Sequence, residues 1–163
     1  MKDIEEKIKN REEAAELLRE FRSEDQCVVF TNGCFDVLHP GHVRYLQEAR
    51  KLGDMLVVGL NSDDSIKRLK GPDRPICEES ARAYLLASMA CVDLVVIFDE
   101  ETPVELMGAL TPDILVKGAD WEGKQLPGSE LVGRVEFMPF LEGWSSTDVI
   151  GRIKKALKSE LAS

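Results

Sequence analysis

The sequence predicts an α/β protein built on a doubly wound, parallel, five-stranded sheet. Two observations carry that reading. The apolar runs at residues 27–31, 55–60 and 92–98, the last broken only by Asp93, are near-continuous rather than alternating, as strands buried on both faces require. Segments of helical period separate them, which is the βαβ order that lays strands side by side in one direction.

Taken in order, Asn10 followed three residues later by Glu13 forms a capping box. It opens a helix whose Ala14, Leu17, Leu18 and Phe21 share one face. The first buried strand, 27–31, runs into a turn at Asn32-Gly33, and a helix follows from Gly41 to about Leu52. Residues 55–60 give the second strand, a Ser/Asp-rich turn occupies 61–64, and helical patterns flank Gly71-Pro72. A third strand at 92–98, a helix at about 103–110, and strands at 114–116 and 135–138 come next. The last helix starts after Ser146, with Ser146 and Thr147 as its caps. The length suits one domain over 1–163, read as a helical extension over 1–24 and a core over 25–158.

Composition narrows the function. Hydrophobic residues make up 44% and charged residues 31%, which permits a real core. A formal net charge of −9 speaks against a nucleic-acid or anionic-membrane partner, since both reward clustered Lys and Arg. Cys27, Cys34, Cys77 and Cys91 lack paired spacing, the N-terminal stretch is charged throughout, and no apolar run approaches membrane-spanning length. The expectation is a reduced, cytoplasmic protein.

In open parallel sheets ligands bind beyond the carboxyl ends of the strands, where the strand order reverses. The first loop in that position reads Thr31-Asn32-Gly33-Cys34-Phe35-Asp36-Val37-Leu38-His39-Pro40-Gly41-His42 and leads into a helix N-terminus. Free amides and the helix dipole attract phosphate there, Gly33 and Gly41 allow close backbone approach, and His39 and His42 can donate to charge developing on a phosphoryl group. Zinc binding by Cys34, His39 and His42 lacks a fourth ligand, and a dinucleotide fold lacks its GxGxxG.

Further candidates follow the other strands. Asn61 and Asp63 come after the second; Lys70 and Arg74 lie on a Gly/Pro-hinged loop that reads as a lid. On the next helix Arg82 stands at salt-bridge spacing from Glu78. Lys117, Gly118, Asp120 and Trp121 follow a later strand, with Asp120 suited to ribose hydroxyls. Ser145, Ser146 and Thr147 offer phosphate donors at the final helix.

The loop from Thr31 to His42 resembles the TxGxFDxxHxGH signature of the cytidylyltransferase-like branch of the nucleotidyltransferase superfamily, and every specified position is present. That resemblance implies the Rossmann-like HxGH nucleotidyltransferase fold, and it brings Arg82 near the nucleotide. The segments LVKGADW and EGWSSTDVIGRI extend the likeness, over about residues 10 to 155, to the adenylyltransferase domain of the ADP-heptose pathway. It implies transfer of AMP from ATP to D-glycero-β-D-manno-heptose 1-phosphate for lipopolysaccharide core synthesis, with Mg²⁺ as cofactor and a homodimer or higher oligomer as the assembly.

On this reading His39, His42 and Lys70 are catalytic. Thr31, Asn32, Gly33, Phe35, Asp36, Gly41, Arg82, Lys117, Gly118, Asp120, Ser145, Ser146 and Thr147 hold the nucleotide. Asp36, Asn61, Asp63, Arg74 and Trp121 face the acceptor, with Asp36 also the metal candidate. The alternative is a glycerol-3-phosphate cytidylyltransferase using CTP, which shares a segment like Asp120-Trp121-Glu122-Gly123-Lys124 but has arginine in place of Phe140. A nucleotide-binding sensor without catalysis is the non-enzymatic alternative; it would have lost a signature histidine or Lys70, and this chain keeps all three. A sugar phosphate has a second pKa of about 6, so its attacking oxygen is already anionic and no general base is needed.

Overall fold

The computed structural model describes residues 3–22 and 26–161. A two-residue strand, β1 (Ile8–Lys9), precedes α1 (Arg11–Phe21). Then come β2 (Val28–Gly33), α2 (Pro40–Arg50), β3 (Met55–Asn61), α3 (Asp63–Lys70) and α4 (Glu79–Ala87). The chain ends with β4 (Leu94–Phe98), α5 (Val104–Leu110), β5 (Ile114–Gly118), β6 (Arg134–Met138) and α6 (Ser146–Leu161).

Among the described residues the sheet has six strands, not five, in the order β1-β4-β3-β2-β5-β6, and every pairing is parallel. The added strand pairs Ile8 with Val95 and Lys9 with Val96 at the edge. Asn32 and Gly33, expected as a turn, continue β2 and pair with Gly59 and Leu60. The capping box is present: Asn10 Oδ1 accepts from Glu13 N at 2.8 Å, and Asn10 N donates to Glu13 Oε2 at 3.1 Å. Helix α1 buries Ala14 and Leu18 in the core beside Leu106, Met107 and Leu110 of α5, so the N-terminal segment is packed into the body of the protein. The boundary expected between residues 24 and 25 lies outside the described residues.

Strand alternation sorts the core into two layers. Val28, Phe30, Met55, Val57, Leu94 and Val96 face α1 and α5, while Val29, Leu56, Val58, Val95 and Val116 face α2 and α4. These burials fix the register, because a one-residue slip would exchange the two layers. Strand order reverses between β2 and β5: the chain leaves β2 toward β3 on one side and β5 toward β6 on the other. The carboxyl ends of these two strands frame the expected crevice. Among the described residues no helix is long and apolar enough to cross a membrane.

Candidate active site

A cleft of about 300 Å³ opens at that reversal point, walled by the loops that follow β2, β5 and β6 and by the start of α2. The chain enters it through a bend at Phe35, whose φ of 44° lies in the left-handed region that non-glycine residues rarely adopt. The Phe35 ring is buried, and its centroid lies 5.3 Å from that of His42. This bend sends the chain to His39, the N-cap of α2, and Pro40 in the first turn suits a helix start because its missing N–H would have no partner there.

One turn of helix brings the two histidines together. Their ring centroids stand 3.8 Å apart at an interplanar angle of 28°, and Trp144 stacks near His39 with centroids 6.3 Å apart. Burial pushes the pKa of His42 down to about 4, with further lowering by His39 and by the cation of Lys70. His39 is lowered as well, chiefly by burial, against an upward pull from Asp148. Both rings are therefore neutral N–H donors near neutral pH, at the positive end of the α2 dipole. The amides of His42 and Val43 are already bonded to His39 O at 2.9 and 3.4 Å, so the free amides the sequence suggested there are largely taken.

Gly41 makes the stack possible. A Cβ there would stand 2.9 Å from both Cε1 and Nδ1 of His39. Gly41→Ala is expected to displace that ring and lower kcat by about 10²-fold, the scale on which a misplacement of about 1 Å acts. The melting temperature should hold or rise, since alanine favours the helix over glycine. Pyrophosphate-release kinetics alongside a thermal melt check both halves of the expectation.

At the end of β5 Lys117 Nζ donates to Asn32 Oδ1 at 3.0 Å and lies 4.9 Å from the centroid of Trp121. Burial lowers its pKa to about 8, against the raising influence of Asp120 and Cys34. Gly118 lets Phe140 lie across the end of β5: a Cβ there would come within 2.7 Å of Phe140 Cζ. Asp120 also lines the cleft, and Ser145 and Ser146 close it at the start of α6. The cap of α6 differs from expectation. Ser145 Oγ, not Ser146 or Thr147, accepts from Asp148 N at 3.0 Å, while Ser146 Oγ donates to Val37 O at 3.4 Å.

The structure thus gathers His39, His42, Lys70, Asn32, Gly33, Phe35, Asp36, Gly41, Lys117, Gly118, Asp120, Trp121, Ser145 and Ser146 around one cavity. Six other candidates stand outside its lining. Thr31 is buried and bonded to Tyr45 OH at 2.7 Å, and Thr147 is exposed on α6. Asn61 Nδ2 donates to Ser65 Oγ at 3.0 Å. Arg74 Nε pairs with Asp36 Oδ2 at 2.6 Å. Arg82, fully buried, pairs with Asp63 at 2.7 Å rather than with Glu78, because its side chain runs beneath the loops and not along the outer face of α4.

Both ion pairs work as staples. Asp36 Oδ1 accepts from Ile76 N at 2.7 Å and Cys77 N at 2.9 Å, so this one carboxylate ties the signature loop to the segment following Lys70. Arg82 donates to the carbonyls of Cys34 at 2.6 Å, Asn61 at 2.9 Å and Cys77 at 2.9 Å, which joins the ends of β2 and β3 to the same segment.

Tyr45, Phe140, Leu141 and Trp144 also line the cleft and were not among the sequence candidates. Tyr45 had a usable signal, since it follows His42 by three residues and so shares its helix face. Its buried hydroxyl donates to Val116 O at 3.0 Å, bracing α2 against β5, and burial pushes its pKa up.

A doubly wound sheet carrying paired HxGH histidines at the N-terminus of the helix after its first core strand defines a nucleotide-binding α/β protein of the nucleotidyltransferase class. The chain belongs to the cytidylyltransferase-like family, which matches it over residues 30–152. It is 50% identical over 163 residues to the bifunctional protein HldE of Trichlorobacter lovleyi, covering 98% of this chain and 33% of that protein. Identity to the HldE of Helicobacter pylori strain J99 is 58% over 139 residues, covering 85% and 30%. The chain therefore spans about a third of the length of the curated relatives it matches. The crystal structure of the lipopolysaccharide core biosynthesis protein from Thermoplasma volcanium superposes with a TM-score of 0.58 at 31% identity, covering 74% of this chain and 99% of that one.

Proposed function

We propose that this chain transfers AMP from ATP to D-glycero-β-D-manno-heptose 1-phosphate, releasing pyrophosphate and forming ADP-heptose. The observation that carries the reading is the stacked pair of neutral histidines at the α2 N-terminus, in one cleft with the buried amine of Lys117. Identity of 50% and 58% to HldE proteins, and the likeness to a lipopolysaccharide core biosynthesis protein, support the heptose as acceptor. Phe140, lying on Gly118 where the glycerol-phosphate relative has arginine, supports it further.

The chemistry needs alignment more than proton transfer. The phosphate oxygen of the sugar attacks the α-phosphorus, the bond from that phosphorus to the bridging oxygen breaks, and pyrophosphate leaves on the opposite side. His39 and His42, at the positive end of the α2 dipole, donate to the charge that grows on the α-phosphate, and Lys70 neutralises the departing phosphates.

Mg²⁺ enters this proposal as part of the ATP substrate. No group of three metal-binding side chains occurs among the described residues. Both oxygens of Asp36 are occupied, one by two amides and the other by Arg74, so the protein offers no carboxylate cage and the triphosphate itself would hold the ion. Homo-oligomeric assembly in the cytoplasm completes the proposal.

The test is pyrophosphate release from purified protein with Mg²⁺, crossing ATP and CTP against heptose 1-phosphate and glycerol 3-phosphate. Turnover confined to ATP with the heptose supports the reading. Turnover with CTP and glycerol 3-phosphate replaces its substrates, and silence in all four combinations overturns it.

A further inference from the structure

The cations of the cleft fall into two groups with different neighbours. Lys70 acts on His42 and stands with the histidines at the α2 N-terminus, whereas Lys117 is flanked by Asn32, Trp121, Asp120 and Cys34. Lys117 is also unusual in its pairing. Two other cations of this region meet carboxylates: Arg82 pairs with Asp63, and Arg74 with Asp36. Lys117 is 8% exposed, yet among the described residues it has no carboxylate at ion-pair distance, and the neutral amide of Asn32 is its hydrogen-bond acceptor. A lysine is seldom buried without a counter-charge. One placed so in a ligand cleft of an acidic protein has an anion as its natural partner.

Geometry decides which anion. In-line displacement places the attacking oxygen opposite the leaving pyrophosphate. If the α2 N-terminus and Lys70 take the triphosphate, the acceptor's phosphate is left to the other cation of the cleft. We infer that Lys117 is the cation that binds the acceptor's phosphate, across the α-phosphate from Lys70 and the histidines. The assignment rests on the proposed nucleotidyl transfer and moves Lys117 from the nucleotide, where the sequence placed it, to the acceptor.

A consequence separates this role from simple packing. Burial holds the Lys117 amine at a pKa of about 8, Asp120 and Cys34 raise it only in part, and Lys124, the other cation near Trp121, is exposed. A bound phosphate dianion favours the charged amine, so binding near pH 8 draws a proton onto Lys117. The sign is fixed: acceptor affinity falls as pH rises through about 8. It also falls below about 6, where the phosphate monoester loses its second charge.

The experiment combines kinetics with calorimetry. Lys117→Met should raise the KM for heptose 1-phosphate about 10- to 100-fold, as loss of a charged hydrogen bond does, with the KM for ATP within about twofold. Heptose 1-phosphate titrated at pH 8 into protein saturated with α,β-methylene ATP, in two buffers of different ionisation enthalpy, should show uptake of about half a proton per site. Lys117→Arg, charged at every pH, should recover part of the affinity and show no uptake. An unchanged acceptor KM in Lys117→Met, an equal rise in the KM for ATP, or no proton uptake by the wild type overturns the assignment. Should Lys117→Met fail to fold, the wild-type proton count decides alone. If the wild type forms no product from ATP and heptose 1-phosphate, the proposed function fails. Two-buffer titration with inorganic phosphate then reads Lys117 separately: uptake that Lys117→Arg abolishes upholds its phosphate site, and its absence overturns it.

Discussion

His42→Ala is expected to lower kcat by about 10²- to 10³-fold, the range found when one preorganised donor to a developing oxyanion is removed. The KM for ATP should change little. The reason is the charge state of the ring. With its pKa held at about 4, His42 is a neutral donor at pH 7, so it adds little to ground-state binding of the triphosphate and acts mainly on charge that appears as the α-phosphate is attacked. Equal losses in kcat/KM and in ATP affinity would instead make it a ground-state contact. The depressed pKa has a second readout. Between pH 6.5 and about 4 the unfolded chain binds a proton that the folded ring refuses, so His42 costs stability progressively as pH falls through that window and costs none above it. Urea titrations at pH 7 and pH 5 should show a steeper loss for the wild type than for His42→Ala. Parallel losses would mean that burial does not hold the ring neutral.

Much of this site is legible in the sequence because its chemistry is local. The strand, the glycine-bearing loop and the helix start of residues 31–42 are contiguous, so spacing alone brings His39 and His42 onto one turn at a helix N-terminus. The capping box at Asn10 is local in the same way. What stayed hidden depends on distant partners. Strand β1 is two residues long, too short to show any period, and exists because Val95 and Val96 offer it an edge. Three consecutive hydroxyl residues, Ser145 to Thr147, could each have capped α6; in the fold Ser145 takes that place. Asp36 illustrates the limit most clearly. A carboxylate in a signature loop reads as a ligand for metal or substrate, and nothing nearby in sequence reveals that Arg74, Ile76 and Cys77 fold back to engage it.

Arg82 should show a different phenotype from the one its family position suggests. Its guanidinium is fully buried and makes four contacts, three to backbone carbonyls and one to Asp63, and it lies outside the lining of the cleft. Arg82→Met keeps much of the volume but leaves those carbonyls and a carboxylate without their donor. Breaking a buried pair from one side costs about 3–5 kcal/mol, a large part of the roughly 5–15 kcal/mol that holds a domain of this size folded. The melting temperature should fall by about 6–20 °C at the usual scaling for such lengths. Activity measured well below the melt should fall too, because Cys34 and Cys77 lose their common anchor and the signature loop is no longer tied to the segment after Lys70. Asp63→Asn, which keeps an acceptor for the guanidinium and removes only its charge, should cost less than Arg82→Met. A variant that melts with the wild type while its KM for ATP rises steeply would show Arg82 reaching the nucleotide directly. The four contacts beneath the loops would then describe only the unliganded arrangement.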